Sequence, residues 1–265
     1  MSRGRVGCLC CQRRWFSSSI VSVLILVLLE STYVSTAIDT PEYILPCNRT
    51  DPNINSCIKN SFNHLRPYLQ KGIAEIDLPA IEPLLIPKLA MENGNGAVRV
   101  RAVFSNMNIH GASNYTVAAV KSDVAAYRID MGLTIPRIEA SGSYEVTGNV
   151  LLFPVRSRGE FYAVFYDVAA LAKIHGKEVV NNGTNYMKVD KLLVDFSLGK
   201  SRFRIRDHLN GGNVLGEAMN QFLNQNAQEI IQEMKPAATQ SIARHFKSFL
   251  NNAFLKVPIA LWLRD

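Results

Sequence analysis

The stretch Asn213–Phe254, NVLGEAMNQFLNQNAQEIIQEMKPAATQSIARHFKSFLNNAF, decides the fold. Its apolar residues recur in steps of three and four: Leu215, Met219, Phe222, Leu223, Ile230, Ile231, Met234, Ile242, Phe246, Phe249, Leu250 and Phe254. That spacing puts them on one broad stripe, the pattern of an amphipathic helix with a buried face. A straight helix of this length runs about 60 Å, whereas a compact domain built from residues 38–265 has a diameter of about 45 Å. Either the helix bends or the rest of the chain is stretched along it. Pro236 lacks an N–H and clashes with the preceding turn, so the bend is expected there, as a kink or a full break.

Upstream the period changes from helical to two. From Ala97 to Arg206 apolar and polar residues alternate, as in Val98, Val100 and Ala102 against Arg99 and Arg101. Tyr127, Ile129, Met131, Leu133 and Ile135 repeat the pattern, and Phe203 and Ile205 alternate with Arg202, Arg204 and Arg206. Turn-forming clusters at 111–114 and 181–183 divide the runs. The pattern predicts six to eight antiparallel strands with one apolar face. Before them, apolar positions from Ile54 to Leu69 predict a helix whose last turn is distorted by Pro67 and which Gly72 ends. Residues 73–91 carry Pro79, Pro83 and Pro87, which exclude a regular helix or a central strand and leave an extended cover. Asn93-Gly94-Asn95-Gly96 reads as a turn. The order of helix, proline-rich cover, antiparallel sheet and long helix defines an α+β domain whose sheet packs on the helices.

The N-terminus stands apart. Arg3, Arg5, Arg13 and Arg14 precede the apolar run Ile20–Leu29, and Ser35-Thr36-Ala37 offers a small-residue cleavage site. Residues 1–37 therefore read as a secretory signal peptide and residues 38–265 as a single mature domain. The alternative is a signal anchor palmitoylated at Cys8, Cys10 or Cys11. The leader holds four of the arginines and Glu30, so the net charge of +7 falls to about +4 in the mature part. The mature part is mildly basic with no run of like charges, which gives no support to nucleic-acid binding. Cys47 and Cys57 are the two cysteines left, and they are expected to pair in an oxidising compartment. Asn48, Asn114 and Asn182 each begin a glycosylation sequon.

No catalytic constellation is present: there is no G-x-S-x-G, H-E-x-x-H, P-loop or Rossmann glycine pattern. His64, His110, His175, His208 and His245 lack metal-ligand spacing, and 207–212 lacks the carboxylate ladder of a calcium loop. No metal, cofactor or nucleic acid is expected. What remains is an excess of large apolar side chains without a reactive partner, including Phe161 and Phe165. They fill a dry core or line an apolar cavity. Asn220, Gln221, Asn224, Gln225, Asn226 and Gln228 occupy the polar side of the long helix. Enclosed helix tolerates hydrogen-bonded amides better than charges, although a solvent-facing polar side gives the same pattern. Arg202, Arg204 and Arg206 share one strand face, either solvated or touching anionic lipid head groups.

Three features together resemble the insect takeout and juvenile-hormone-binding protein family, in its takeout-like branch. They are the Cys47 and Cys57 pair after a signal, Ile81-Glu82-Pro83-Leu84-Leu85-Ile86-Pro87, and Leu215-Gly216-Glu217-Ala218-Met219-Asn220-Gln221-Phe222-Leu223-Asn224. The resemblance spans nearly the whole mature chain. It implies a strongly curved antiparallel β-sheet wrapped around a long C-terminal α-helix, enclosing a hydrophobic tunnel, similar to half of a two-barrel lipid-transfer protein. It further implies a secreted, non-enzymatic, monomeric carrier of a small hydrophobic ligand that is terpenoid, juvenile-hormone-like or fatty-acid-like. Roles in feeding, circadian output or chemosensation, and transient membrane or receptor contact, belong to the same expectation. The single cysteine pair fits the takeout branch; hormone carriers usually have a second disulfide. Tyr127, Ile129, Met131, Leu133, Phe165, Met219, Phe222, Phe246 and Phe249 are the expected tunnel lining. The competing reading is a secreted structural or signalling module with a filled core, acting through protein contacts.

Overall fold

The computed structural model describes residues 40–94, 98–150, 153–209 and 213–265, which lie in one compact unit spanning Thr40–Asp265. The expected signal peptide and the end of the 93–96 turn lie outside the described residues. Two long strands, β5 (Arg128–Val150) and β6 (Phe153–Asn181), form a hairpin paired in one continuous register from Arg128–His175 to Val150–Phe153, with Pro136 opposite Asp167 left out of the pairing. This hairpin is too long for one flanking strand to follow. The start of β5 pairs with β4 (Thr116–Asp123), and its end pairs with β3 (Val98–His110). On the other side the early half of β6 pairs with β8 (Lys200–Asp207) and the late half with β7 (Thr184–Ser197). With β2 (Leu84–Asn93) beside β3, seven strands make one antiparallel sheet. Bulges interrupt the register at 105–108, 117–119 and 175–176, and each bulge bends its strand and adds twist. The sheet therefore curls.

The curl leaves four strands with a free edge, and helices lie along all four. α1 (Ile54–His64) sits on β4: Asn63 Nδ2 donates to the Val117 carbonyl at 3.1 Å, and Val117 N–H donates to Asn63 Oδ1 at 2.9 Å. α3 (Asn213–Gln225) sits on β8 in the same manner. Asn220 exchanges two hydrogen bonds with the Ile205 backbone (2.7 and 2.9 Å), and Asn224 two with Phe203 (2.9 and 2.7 Å). α4 (Ala227–Phe254) meets β7 through Asn251, which exchanges bonds of 2.7 and 3.1 Å with Val189, while Lys247 donates to the Asp190 carbonyl at the bulge. On β2, Ser241 Oγ of α4 donates to the Ala90 carbonyl at 2.5 Å. A side-chain amide has the donor and acceptor of a peptide group, so one asparagine completes one residue of ladder.

The helical stripe is present, and the full break allowed for at Pro236 falls elsewhere. The interruption falls at Asn226, φ −107° and ψ 17°, and Pro236 lies inside α4. Asn226 Nδ2 donates to the Phe222 carbonyl at 2.8 Å, which its own N–H also uses at 3.0 Å, so the side chain competes for a main-chain acceptor. Pro236 has no N–H to give the Gln232 carbonyl four residues back, and one residue on Asn93 Nδ2 of β2 donates to the Glu233 carbonyl at 3.2 Å. The first helix likewise ends at His64, and a short α2 (Arg66–Lys71) follows with Pro67 in its first turn, where no donor is needed. The proline-rich segment becomes a 3-10 turn at Ala74–Ile76 and then β2, an edge strand whose pairing skips Pro87. The C-terminal apolar segment forms one helical turn, α5 (Ile259–Trp262), before a last two-residue strand.

The chain ends are fastened together. β1 (Cys47–Asn48) pairs in parallel with β9 (Leu263–Arg264), and Cys47 is disulfide-bonded to Cys57 on α1. Glu82 fastens the opposite side. Its carboxylate accepts from Gly111 N–H (2.9 and 3.0 Å) and from Ser113 N–H (3.3 Å) and Oγ (2.8 Å), with His110 Nδ1 at 3.3 Å.

Two outcomes test this frame. Asn251→Ala leaves the Val189 N–H and carbonyl without partners and lowers stability by about 2–3 kcal/mol in urea unfolding. Gln221→Ala, at an exposed position on α3, changes it by no more than about 0.5 kcal/mol. Partial burial of Glu82 acts to raise its pKa, but the Gly111 and Ser113 donors outweigh it and hold the carboxyl below its ordinary value. A depressed folded value means that the stabilisation is complete above the unfolded pKa of about 4.3. It is lost as pH falls through the folded value. The stability difference between wild type and Glu82→Gln, followed by urea midpoints against pH, therefore shrinks on acidification.

Candidate functional site

One side of the curled sheet faces the helices, and that inner side is apolar along its whole length. It is not filled evenly. At the α1 end Ile58, Val117, Ile129, Met131, Ile174, Met187, Val189 and Leu192 form one buried cluster, with Ile129 3% and Met131 7% exposed. Tyr127, Leu133, Phe246 and Phe254 pack around it, and the Trp262 ring meets that of Phe254 at a tilt, 5.6 Å between centroids. A second cluster joins Leu84, Ile86, Leu89 and Met107 to Phe104, Phe161, Phe246 and Phe249. Phe246 thus belongs to both clusters, and Phe249 reaches a third around Ile73, Ile76 and Leu78.

Toward β8 and α3 the packing thins. Phe161, Phe165, Phe203, Ile205, Met219 and Leu223 are all only half-buried. Phe165 has the same strand parity as Phe161, and its ring meets that of Phe203 edge to face at 5.8 Å. The Phe104 and Phe161 rings meet in the same way at 5.0 Å. A half-buried apolar group on a helix-facing surface still has apolar area that the protein itself does not cover. Phe222 is further out, at 39% exposure.

Polar groups are few among the described residues of this inner side; most are paired, while the buried Trp262 Nε1–H has no hydrogen-bond partner. The buried Tyr144 hydroxyl lies 2.7 Å from Ser157 Oγ, which donates to Asp207 Oδ2 at 2.9 Å. Burial, and then the nearby Asp207 charge, push the Tyr144 hydroxyl's pKa up against the opposing Ser157 hydrogen bond. His245 on α4 is half-buried beside the Phe246 ring, and burial pushes its pKa down. Neither group is paired in the manner of a nucleophile and its base. Among the described residues no group of three His, Cys, Asp or Glu side chains is arranged to hold a metal.

The residues expected to line a tunnel thus fall into two sets. Tyr127, Ile129, Met131 and Leu133 belong to the filled end, while Phe165, Met219 and Phe222 lie toward the thinly packed end, with Phe246 and Phe249 between. Sequence reasoning placed Tyr144 on the apolar side of an alternating run but did not name it, Phe104 or Ser157 as site residues; the pairing register brings the three to the inner side. The three sequon asparagines Asn48, Asn114 and Asn182 are exposed.

The family model described as Haemolymph juvenile hormone binding protein (JHBP) matches residues 23–264. The circadian clock-controlled protein daywake of Drosophila yakuba is 21% identical over 236 residues, covering 86% of this chain and 91% of that protein. A putative beta-carotene-binding protein of Schistocerca gregaria is 21% identical over 191 residues, covering 71% and 75%. The crystal structure of Epiphyas postvittana Takeout 1 superposes with a TM-score of 0.71 at 18% identity, covering 83% of this chain and 99% of that one. Its likeness establishes the fold: a curled antiparallel half-barrel with C-terminal helices.

The gradient in packing has a direct consequence for stability. Ile129→Ala and Met131→Ala, in the filled cluster, cost about 2–5 kcal/mol each. Ile205→Ala, at the thinly packed end, costs only about 1 kcal/mol because part of that side chain is uncovered already. Chemical denaturation of the three variants measures the difference.

Proposed function

We propose that this chain, which belongs to the haemolymph juvenile hormone binding protein family, is a secreted, monomeric, non-enzymatic carrier that holds a small hydrophobic ligand between sheet and helices. The observation that carries the proposal is the half-buried apolar surface of Phe161, Phe165, Phe203, Ile205, Met219 and Leu223 on the inner side. Covering such surface with a ligand is favourable by about 25 cal/mol per Å², less the cost of ordering the ligand and neighbouring side chains. A terpenoid or a fatty chain has the required shape: long, apolar and flexible. The tunnel is proposed to run from this thinly packed end along Phe246 and Phe249, with Tyr127, Ile129, Met131 and Leu133 closing its far end.

Juvenile-hormone-like, carotenoid-like and fatty-acid-like ligands all fit this chemistry; the relatives' names favour a terpenoid or isoprenoid skeleton. Secretion is supported by the leader-like residues 1–37, the disulfide and the exposed sequons, which we propose carry glycans. A circadian output role rests on the likeness to daywake. A filled-core module acting through protein contacts is the alternative that the same experiment addresses.

Native mass spectrometry of protein purified from a secreting host should show an adduct in the mass range of a small lipid, removable by solvent extraction. The extracted protein then takes up a fluorescent apolar probe. Ile205→Trp, which fills the space beside Phe203, weakens that uptake about tenfold, or 1.4 kcal/mol, with the unfolding midpoint little changed. If extracted wild-type protein takes up neither lipid nor probe, the carrier reading fails and the filled-core module replaces it.

A further inference from the structure

The outer side of the same sheet has the opposite character. Because side chains alternate along each strand, the register that turns Phe203 and Ile205 inward turns Arg202, Arg204 and Arg206 outward. Across the sheet Arg206 faces Glu160, Arg204 faces Tyr162, and Arg202 faces Val164. Arg158 on β6 and Arg99 and Arg101 on β3 extend the same outer side toward the far edge of this half of the sheet. All six arginines are exposed.

Counter-charge is sparse there. Glu145 lies opposite Arg158 and Glu160 opposite Arg206. Glu139 is engaged with Arg137 at 2.7 Å and accepts from the Tyr162 hydroxyl at 2.5 Å. The side chains of Arg202, Arg204 and Arg206 form no ion pair among the described residues. On β6, β7 and α4, by contrast, Lys177 pairs with Asp190 at 3.1 Å and Lys235 with Asp195 at 2.8 Å. This half of the outer face thus carries six exposed arginines with few carboxylates opposite them.

Two further features shape this face. An open groove of about 700 Å³ runs past Arg137, Tyr162, Tyr166, Arg202 and Arg204. Tyr162 is 40% exposed, so an aromatic ring with a polar tip lies between guanidinium groups. Immediately after β8, Leu209 is 51% exposed on a turn closed by its N–H bond to Asp207 Oδ1 at 2.8 Å. Guanidinium groups bind phosphate bidentately, tyrosine is favoured at the boundary between water and lipid, and an exposed leucine adds an apolar contact.

We infer that this outer face, centred on Arg202, Arg204 and Arg206, docks the protein on a bilayer surface bearing anionic head groups. The commitment to a bilayer over a soluble polyanion rests on the combination of arginines with Tyr162 and Leu209, because a polysaccharide chain offers nothing apolar to them. The attraction is additive over the cations and screened by salt within about 10 Å. Docking leaves the inner side free, since the two sets of side chains point to opposite faces of one strand. The inference does not depend on what the interior holds.

The test uses the full secreted chain and vesicle co-sedimentation. Vesicles of phosphatidylcholine with about 30% phosphatidylserine should bind the protein, those of phosphatidylcholine alone should not, and raising salt should release it. Arg202→Glu/Arg204→Glu is expected to weaken binding at least about tenfold, and Arg202→Lys/Arg204→Lys to retain most of it. Lys188→Glu/Lys191→Glu changes the net charge equally on β7 and is expected to alter binding less than about twofold. Uptake of the fluorescent apolar probe by Arg202→Glu/Arg204→Glu remains at the wild-type level, which separates this result from a failure of the carrier reading. Absence of vesicle binding, equal binding to both vesicles, or equal loss in the two charge-reversal pairs overturns the inference. Retention on heparin without vesicle binding also overturns it and assigns the face to a soluble polyanion.

Discussion

Free strand edges are the constraint on which the rest of this structure depends. A hairpin as long as β5–β6 cannot be flanked by single strands, so it acquires two partners on each side and leaves several edges open. An open edge presents unpaired N–H and carbonyl groups that invite pairing with other chains. A closed barrel would remove those edges and fix the size of the interior. Here the edges are met by helices instead, through Asn63, Asn220, Asn224, Asn251 and Ser241. The sheet can remain open and curled because the helices complete its ladder. The interior is then bounded partly by side chains that can shift without breaking a strand pair.

Much of this was legible in the sequence, and the limits have physical causes. The alternation in Arg202–Arg206 correctly assigns an apolar and a cationic face, because strand geometry has a period of two. The pairing of Cys47 with Cys57 and the edge position of the Pro87 strand follow from chemistry that few other arrangements satisfy. The amides were a real signal with an unreadable address. Asn220 and Asn224 pair with β8, whereas Gln221 and Gln225 are exposed. All four look alike in sequence, since only the strand brought alongside distinguishes them. Pro236 was the natural place for a break, yet the helix runs through it, with Asn93 donating to the nearby Glu233 carbonyl, and the interruption lies at Asn226. That donor comes from a strand more than a hundred residues away.

Burial depth was the hardest quantity to read. Ile129 and Met131 have the same alternating pattern as Phe203 and Ile205, but the first pair is buried and the second only half-buried. Periodicity reports which face a side chain takes and nothing about what stands opposite. At the α1 end a helix, the disulfide and the C-terminal turn converge on the sheet and fill the space. At the β8 end α3 is held at the strand edge by Asn220 and Asn224. Its contacts go to the β8 backbone, and side chains further along the sheet are left less covered.

The chemistry of the interior also bears on selectivity. An apolar cavity that lacks a polar anchor discriminates weakly, because one methylene more or less is worth only about 1 kcal/mol. Sharp discrimination arises where a buried polar group is left unpaired by the wrong ligand. Here Tyr144, Ser157 and Asp207 already satisfy one another, so a ligand without a polar end strands none of these three. A ligand bearing a hydroxyl or carbonyl gains only the difference between its own hydrogen bond and the one it displaces. The arrangement favours a class of molecules defined by length and apolar area over a single compound defined by its head group. For the proposed carrier, the choice of cargo would then depend more on where the protein loads than on any one side chain of the interior.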